Sequence, residues 1–175
     1  MDNEKRIVLT GFMGVGKSTV ARHLAVILQT QKIDLDSVIE AVEKQTIAQI
    51  IKTVGIMRFR QIETETLRKI LTEDCARILA LGGGAWTIAE NRHIIKTQNC
   101  TTVWLESSFE HCWRNIKSSK RERPLAKNKI QTRELFDERQ NFYCLADWHF
   151  IIRPDLTSYE IAKKIAEEVF LIKFD

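Results

Sequence analysis

The chain has 175 residues, 44% hydrophobic and 29% charged, with only 7 Gly and 2 Pro, a composition that suits one globular domain and excludes a disordered tail or a fibrous repeat. No apolar run approaches the ~20 residues of a membrane helix, and Lys5-Arg6 lead into glycines rather than a signal-peptide core, so a cytoplasmic address is expected. The net charge of +4 is concentrated: eight basic residues against one acid between Arg114 and Arg133 make that stretch +7 and leave −3 elsewhere, which points to a small, highly charged anionic ligand rather than to nucleic acid.

In chain order, Arg6–Thr10 is a short apolar run ending at Gly11, and after Lys17 the residues Val20, Leu24, Ile27 and Leu28 fall at helical spacing. That order predicts strand, glycine loop, helix. Four more runs are strand-sized, at Lys32–Leu35, Arg77–Leu81, Thr101–Leu105 and Trp148–Ile152, and helix-period sequence separates each from the next. Alternation of this kind predicts an α/β fold in three layers, a five-stranded parallel sheet with helices on both faces. Four Ser/Thr-x-x-Glu boxes follow the later strands: Ser37 with Glu40, Thr87 with Glu90, Ser107 with Glu110 and Thr157 with Glu160. Each can satisfy two orphan donors at the start of a crossover helix. The first helix has no such box, which leaves its N–H groups open to a bound anion.

Two segments break the alternation. Residues 37–72 read as two or three helices, Ser37–Lys44, Ile47–Val54 and Met57–Leu71, where one crossover would suffice, so an insertion is expected. Residues 118–130 lack apolar period, carry Pro124 and are basic, the pattern of an exposed loop. The cysteines Cys75, Cys100, Cys112 and Cys144 are irregularly spaced; they read as buried or inert thiols and argue against a zinc site or a disulfide framework.

Gly11–Ser18 fits G-x-x-x-x-G-K-[ST] in full, and Thr19 follows. Gly11, Gly14, Val15 and Gly16 let main-chain N–H groups converge on phosphate oxygens, Lys17 reaches the β- and γ-phosphates, and the Ser18 hydroxyl is a hard ligand for Mg²⁺. ATP or GTP binding follows. Asp34 and Asp36, two apart on the expected end of the second strand, project to the ligand-binding edge of the sheet. One can hold a metal-bound water and the other can accept the proton of a substrate hydroxyl. Arg60 and Glu63 are helical neighbours, so the carboxylate can aim the guanidinium. Gly82, Gly83 and Gly84 after the third strand are best explained by a group that approaches the main chain closely.

The set GFMGVGKST, IDLDSVIE, GIMRFRQIE, LALGGGA, RERPL and RQNFY, the last followed by Ala146, resembles the shikimate kinase family in order and approximate spacing over nearly the whole chain. The resemblance implies a P-loop kinase similar in fold to nucleoside monophosphate kinases, a single domain with a substrate-binding insertion at 37–72 and a mobile lid at 118–130. It implies transfer of the ATP γ-phosphoryl group to the 3-hydroxyl of shikimate, with Mg²⁺ as cofactor. Carried over, Lys17 and Ser18 would bind phosphates and Mg²⁺, with Asp34 in the metal's outer shell and Asp36 as base and ring-hydroxyl contact. Arg60 and Arg139 would grip the shikimate carboxylate, Glu63 would orient Arg60, and the main chain of Gly82, Gly83 and Gly84 would line the pocket. Arg123 would swing over the transferring phosphoryl group; Arg114 and Arg153-Pro154 would contact adenine.

Two departures stand out: the family usually has Gly-Glu where this chain has Gly55-Ile56, and Trp86 is bulky after GGGA, which would narrow the pocket. A kinase of another small acceptor, such as gluconate or a nucleoside monophosphate, is the first alternative. A non-catalytic nucleotide-binding protein is the second. The guanine signature Asn-Lys-x-Asp has only a near match at Asn128–Gln131, without its Asp. The expected partners are ATP and shikimate, with no nucleic acid, no membrane and a monomeric state.

Overall fold

The computed structural model describes residues 5–73, 76–153 and 155–174. Its five parallel strands are β1 (Ile7–Thr10), β2 (Lys32–Asp34), β3 (Ile78–Ala80), β4 (Thr101–Glu106) and β5 (Trp148–Ile151), in the order β2-β3-β1-β4-β5. Central β1 is buried along its length, with Leu9 opposite Ala80 on one side and Val103 on the other. Strand order reverses at β1, so the crevice beyond its carboxyl end is where this class of sheet takes a ligand.

Helices cover both faces of the sheet, as expected. Helix α1 (Lys17–Ile27) buries Val20, Ala21 and Leu24 and packs against α7 (Ser158–Val169), which turns Ile161, Ala162, Ile165 and Ala166 inward. The insertion forms α2 (Leu35–Glu43) and α3 (Ile47–Glu73), the latter broken at Gly55 by φ 80 and ψ 163, at the gap expected between two helices. Helices α4 (Ala89–Thr97), α5 (Phe109–Ser118) and α6 (Lys129–Tyr143) complete the layers. Among the described residues no helix is long and apolar enough to cross a membrane.

Three of the four capping boxes are corrected. Only Thr157 and Glu160 form the reciprocal pair. Helix α2 is capped one turn earlier by Asp34, which accepts from the Ser37 N–H, and Glu40 instead accepts from the Ile47 N–H at the start of α3. Helix α5 is capped by Ser108, and Thr87 turns its hydroxyl to the Gly84 carbonyl. A cap pattern gives the neighbourhood of a helix start, whereas the chain entering it decides which oxygen reaches the N–H. Cys100 and Cys112 are buried free thiols, Cys144 is an exposed free thiol, and Cys75 lies outside the described residues.

Candidate active site

The loop after β1 turns into α1 through Gly16, an N-cap in the left-handed region with no side chain on the open N–H groups. Gly14 has φ 82, and a Cβ there would lie 2.5 Å from the Cys112 carbonyl of α5, so glycine alone lets loop and helix meet. From α5 the Asn115 Nδ2 donates to the Gly14 carbonyl at 2.7 Å and lies 3.0 Å from His111 Nε2. Lys17 is buried and donates to the carbonyls of Gly11 at 2.8 Å and Phe12 at 3.1 Å. Burial lowers its pKa to about 8, with nearby Asp36 opposing that shift. The buried Phe12 ring lies edge-on to that of Phe136 of α6, with centroids 5.1 Å apart.

The two aspartates do not share a strand end. Asp34 ends β2 and caps α2, and its Oδ2 accepts from the Ser18 hydroxyl; Asp36 belongs to the first turn of α2. The helix begins sooner than the sequence suggested, yet both carboxylates face the crevice. Asp36 sits with Oδ1 against Gly82, where a Cβ would meet it at 2.5 Å, and burial raises its pKa while Arg121 opposes the rise. Ser18 Oγ and Asp34 Oδ2 are hard oxygens beside the cradle, and among the described residues no group of three His, Cys, Asp or Glu gathers for a protein-only metal cage. That donor set fits Mg²⁺, which keeps waters and takes phosphate oxygens.

Beyond the cradle, Arg60 of α3 donates to Glu63 Oε2 at 2.6 Å, and Glu63 is 1% exposed with Oε1 unpartnered among the described residues. Burial raises the Glu63 pKa against the pull of Arg60. Arg139 of α6 donates to the Gly83 carbonyl at 3.0 Å, and the Tyr143 hydroxyl donates to the same oxygen. Burial lowers the pKa of Arg139 and pushes that of Tyr143 up to about 12. Asp36, Arg60, Glu63, Gly82–Gly84 and Arg139 thus line one cavity. A second, around Lys17, Ser18, Thr19 and Asp34, adjoins it and shares Met13, Asp36, Gly83, Arg121 and Arg123.

The basic loop between α5 and α6 contributes Arg121 and Arg123 to both cavities. Arg123 has its Nε buried without a hydrogen-bond partner among the described residues, and burial lowers its pKa. Of the residues expected near adenine, Arg114 is exposed on α5, and its neighbours Asn115, Ser118 and Ser119 line the cavity beside the glycine loop. Arg153 lines a separate pocket with His149 and Leu156, and Pro154 lies outside the described residues. Trp86 does not narrow the site, because its ring is buried and Nε1 donates to the Phe142 carbonyl at 2.9 Å.

Sequence reasoning missed Met13, Asn115, Arg121 and Tyr143. Tyr143 had a signal, one helical turn after Arg139 and so on the same face. Arg121 was hidden among eight basic residues.

A family profile described as shikimate kinase matches residues 13–170. A shikimate kinase from Brucella canis is 33% identical over 154 residues, covering 86% of this chain and 76% of that protein. One from Streptococcus thermophilus is 39% identical over 139 residues, covering 78% and 83%. The structure is similar to that of shikimate kinase from Acinetobacter baumannii in complex with shikimate, with TM-score 0.87, 32% identity and coverage of 95% and 93%. APS kinase from Mycobacterium tuberculosis, at TM-score 0.59, 17% identity and coverage of 95% and 98%, shares the fold.

Proposed function

Because the chain belongs to the shikimate kinase family, we propose that it transfers the γ-phosphoryl group of ATP to the 3-hydroxyl of shikimate, giving shikimate 3-phosphate and ADP. The observation that carries this reading is the cavity shared by Asp36, Arg60 and Arg139, which opens onto the phosphate-loop cavity through five common residues. Donor and acceptor sites therefore touch end to end, the arrangement an in-line transfer needs.

Each residue has a role in this reading. The loop N–H groups, Lys17, Ser18 and Thr19 hold the phosphates, and Arg123 neutralises the transferring group. Ser18, with Asp34 in the outer shell, would hold Mg²⁺, which would supply further neutralisation of the phosphates. Asp36 accepts the hydroxyl proton; burial raises its pKa, which makes the carboxylate a better proton acceptor, while Arg121 opposes the rise. Arg60, aimed by Glu63, and Arg139, anchored on Gly83, face the acceptor's carboxylate. An acceptor without that acid leaves two guanidinium groups against a single carboxylate, Glu63, with their remaining N–H donors unmet, and this is the basis of selectivity.

The test is ADP release with shikimate, gluconate and nucleoside monophosphates side by side, in wild type and Arg60→Ala. Turnover is expected with shikimate alone, with its KM raised in the variant. Comparable turnover on another acceptor, or normal shikimate affinity in Arg60→Ala, would overturn the assignment.

A further inference from the structure

Arg121 belongs to the basic loop but reaches across to the helices of the acceptor side. Its Nη2 lies 3.3 Å from Glu40 Oε1 and 3.5 Å from Asp36 Oδ2. Asp36 and Glu40 are four apart on α2 and so stand one above the other on one helix face. One guanidinium nitrogen thus forms an ion pair with both carboxylates. The same Glu40 oxygen accepts from the Ile47 N–H at 3.0 Å and so holds the first residue of α3. Ile47 and Ile51 of that turn line the acceptor cavity. An unbroken set of contacts thus runs from the loop through Arg121 and Glu40 to the wall of the acceptor site.

On the strength of the shikimate kinase reading, we propose that Arg121 is a positioning residue that couples the two substrates: its bridge to Glu40 and Asp36 ties closure of the loop over the nucleotide to the acceptor-binding helices. Arg123, two residues on, lines the nucleotide cavity, so phosphates that hold Arg123 also hold Arg121 in its bridge to α2. An acceptor that fixes α2 against α3 presents Asp36 and Glu40 at the spacing Arg121 requires. Arg121 keeps 39% of its side chain exposed, and an ion pair at such exposure adds little to resting stability. A contact of that kind can form and break with the loop, and its energy then appears as cooperativity between ligands.

The experiment is calorimetric titration of ADP with and without shikimate, and of shikimate with and without ADP, on wild type, Arg121→Ala, Arg121→Lys, Glu40→Gln and Arg121→Ala/Glu40→Gln. In wild type each ligand is expected to tighten the other by the same factor, at least about fivefold. In Arg121→Ala that factor, taken as the ratio of each ligand's affinity with and without the other, is expected to fall below about twofold whatever the affinity of either ligand alone. Glu40→Gln still accepts from Ile47, so α3 starts as before, and it is expected to lose coupling in the same direction. The double variant should lose no more than Arg121→Ala, and Arg121→Lys should restore part of the factor. Undiminished coupling in Arg121→Ala, or losses that add in the double variant, would overturn the latch alone. A wild-type protein that binds ADP but not shikimate would overturn both the latch and the acceptor assignment.

Discussion

Arg60 lies so close to the main chain of Gly84 that a Cβ at position 84 would stand 2.7 Å from its guanidinium carbon. The glycine is therefore the seat of the arginine. Gly84→Ala is expected to push Arg60 off its line to the acceptor and raise the shikimate KM about tenfold or more, since hydrogen bonds to a charged group contribute about 1.5–3 kcal/mol. The ATP KM should hardly move. Steady-state kinetics with each substrate varied in turn will check this, and an unchanged shikimate KM would remove Arg60 from the acceptor site.

Glu63 is the other constraint on Arg60, at 1% exposure against 20% for the arginine. Glu63→Ala leaves the guanidinium unpaired. Breaking a fully buried pair costs about 3–5 kcal/mol; with Arg60 partly solvated, about 2 kcal/mol is expected here, or roughly 4–8 °C in Tm. Glu63→Gln keeps the shape and should lose less Tm while still raising the shikimate KM. Thermal unfolding of both variants beside kinetics separates the two effects.

Tyr143 gives a pH signature. Burial raises its pKa from 10.0 to about 12, so the folded state holds this proton more tightly than the unfolded chain. Its contribution to stability is complete below pH 10 and is lost as pH rises towards 12. The chain has only 2 Tyr, so in Tyr159→Phe the phenolate absorbance reports Tyr143 alone, and its midpoint is expected near 12. Across the same window Tyr143→Phe should lose less stability with pH than wild type does. A midpoint near 10 would contradict the buried hydroxyl on Gly83.

Asn115 separates the two substrates in the opposite sense. Its amide holds the Gly14 carbonyl, on the nucleotide side alone. Asn115→Ala is expected to raise the ATP KM about fivefold, the worth of one hydrogen bond near 1 kcal/mol, and to leave the shikimate KM unchanged. Equal effects on both constants would mean general loosening of α5 instead.

Much of this was legible because it rests on local rules. Gly11–Ser18 must form an anion cradle between a strand and a helix, and apolar runs between helical stretches make a parallel sheet. Even the break at Gly55 follows from two helical patterns that do not join. What escaped depends on how the chain arrives. Whether Ser107 or Ser108 caps α5 differs by one residue of backbone, and whether Asp34 or Ser37 caps α2 by about one turn. Trp86 had an indole N–H to satisfy, and the Phe142 carbonyl that satisfies it is 56 residues away. Arg121 and Arg123 are alike in sequence; only the fold sets one on two carboxylates and leaves the Nε of the other unpartnered among the described residues.

The partition between the two cavities contains a thioether, a carboxylate, one peptide unit and two guanidinium groups, from Met13, Asp36, Gly83, Arg121 and Arg123. A bisubstrate inhibitor must thread that gap. A plain alkyl tether would strip water from both cations without replacing it, whereas a tether bearing a phosphonate at mid-length would meet them, so potency should track the tether's charge more closely than its length.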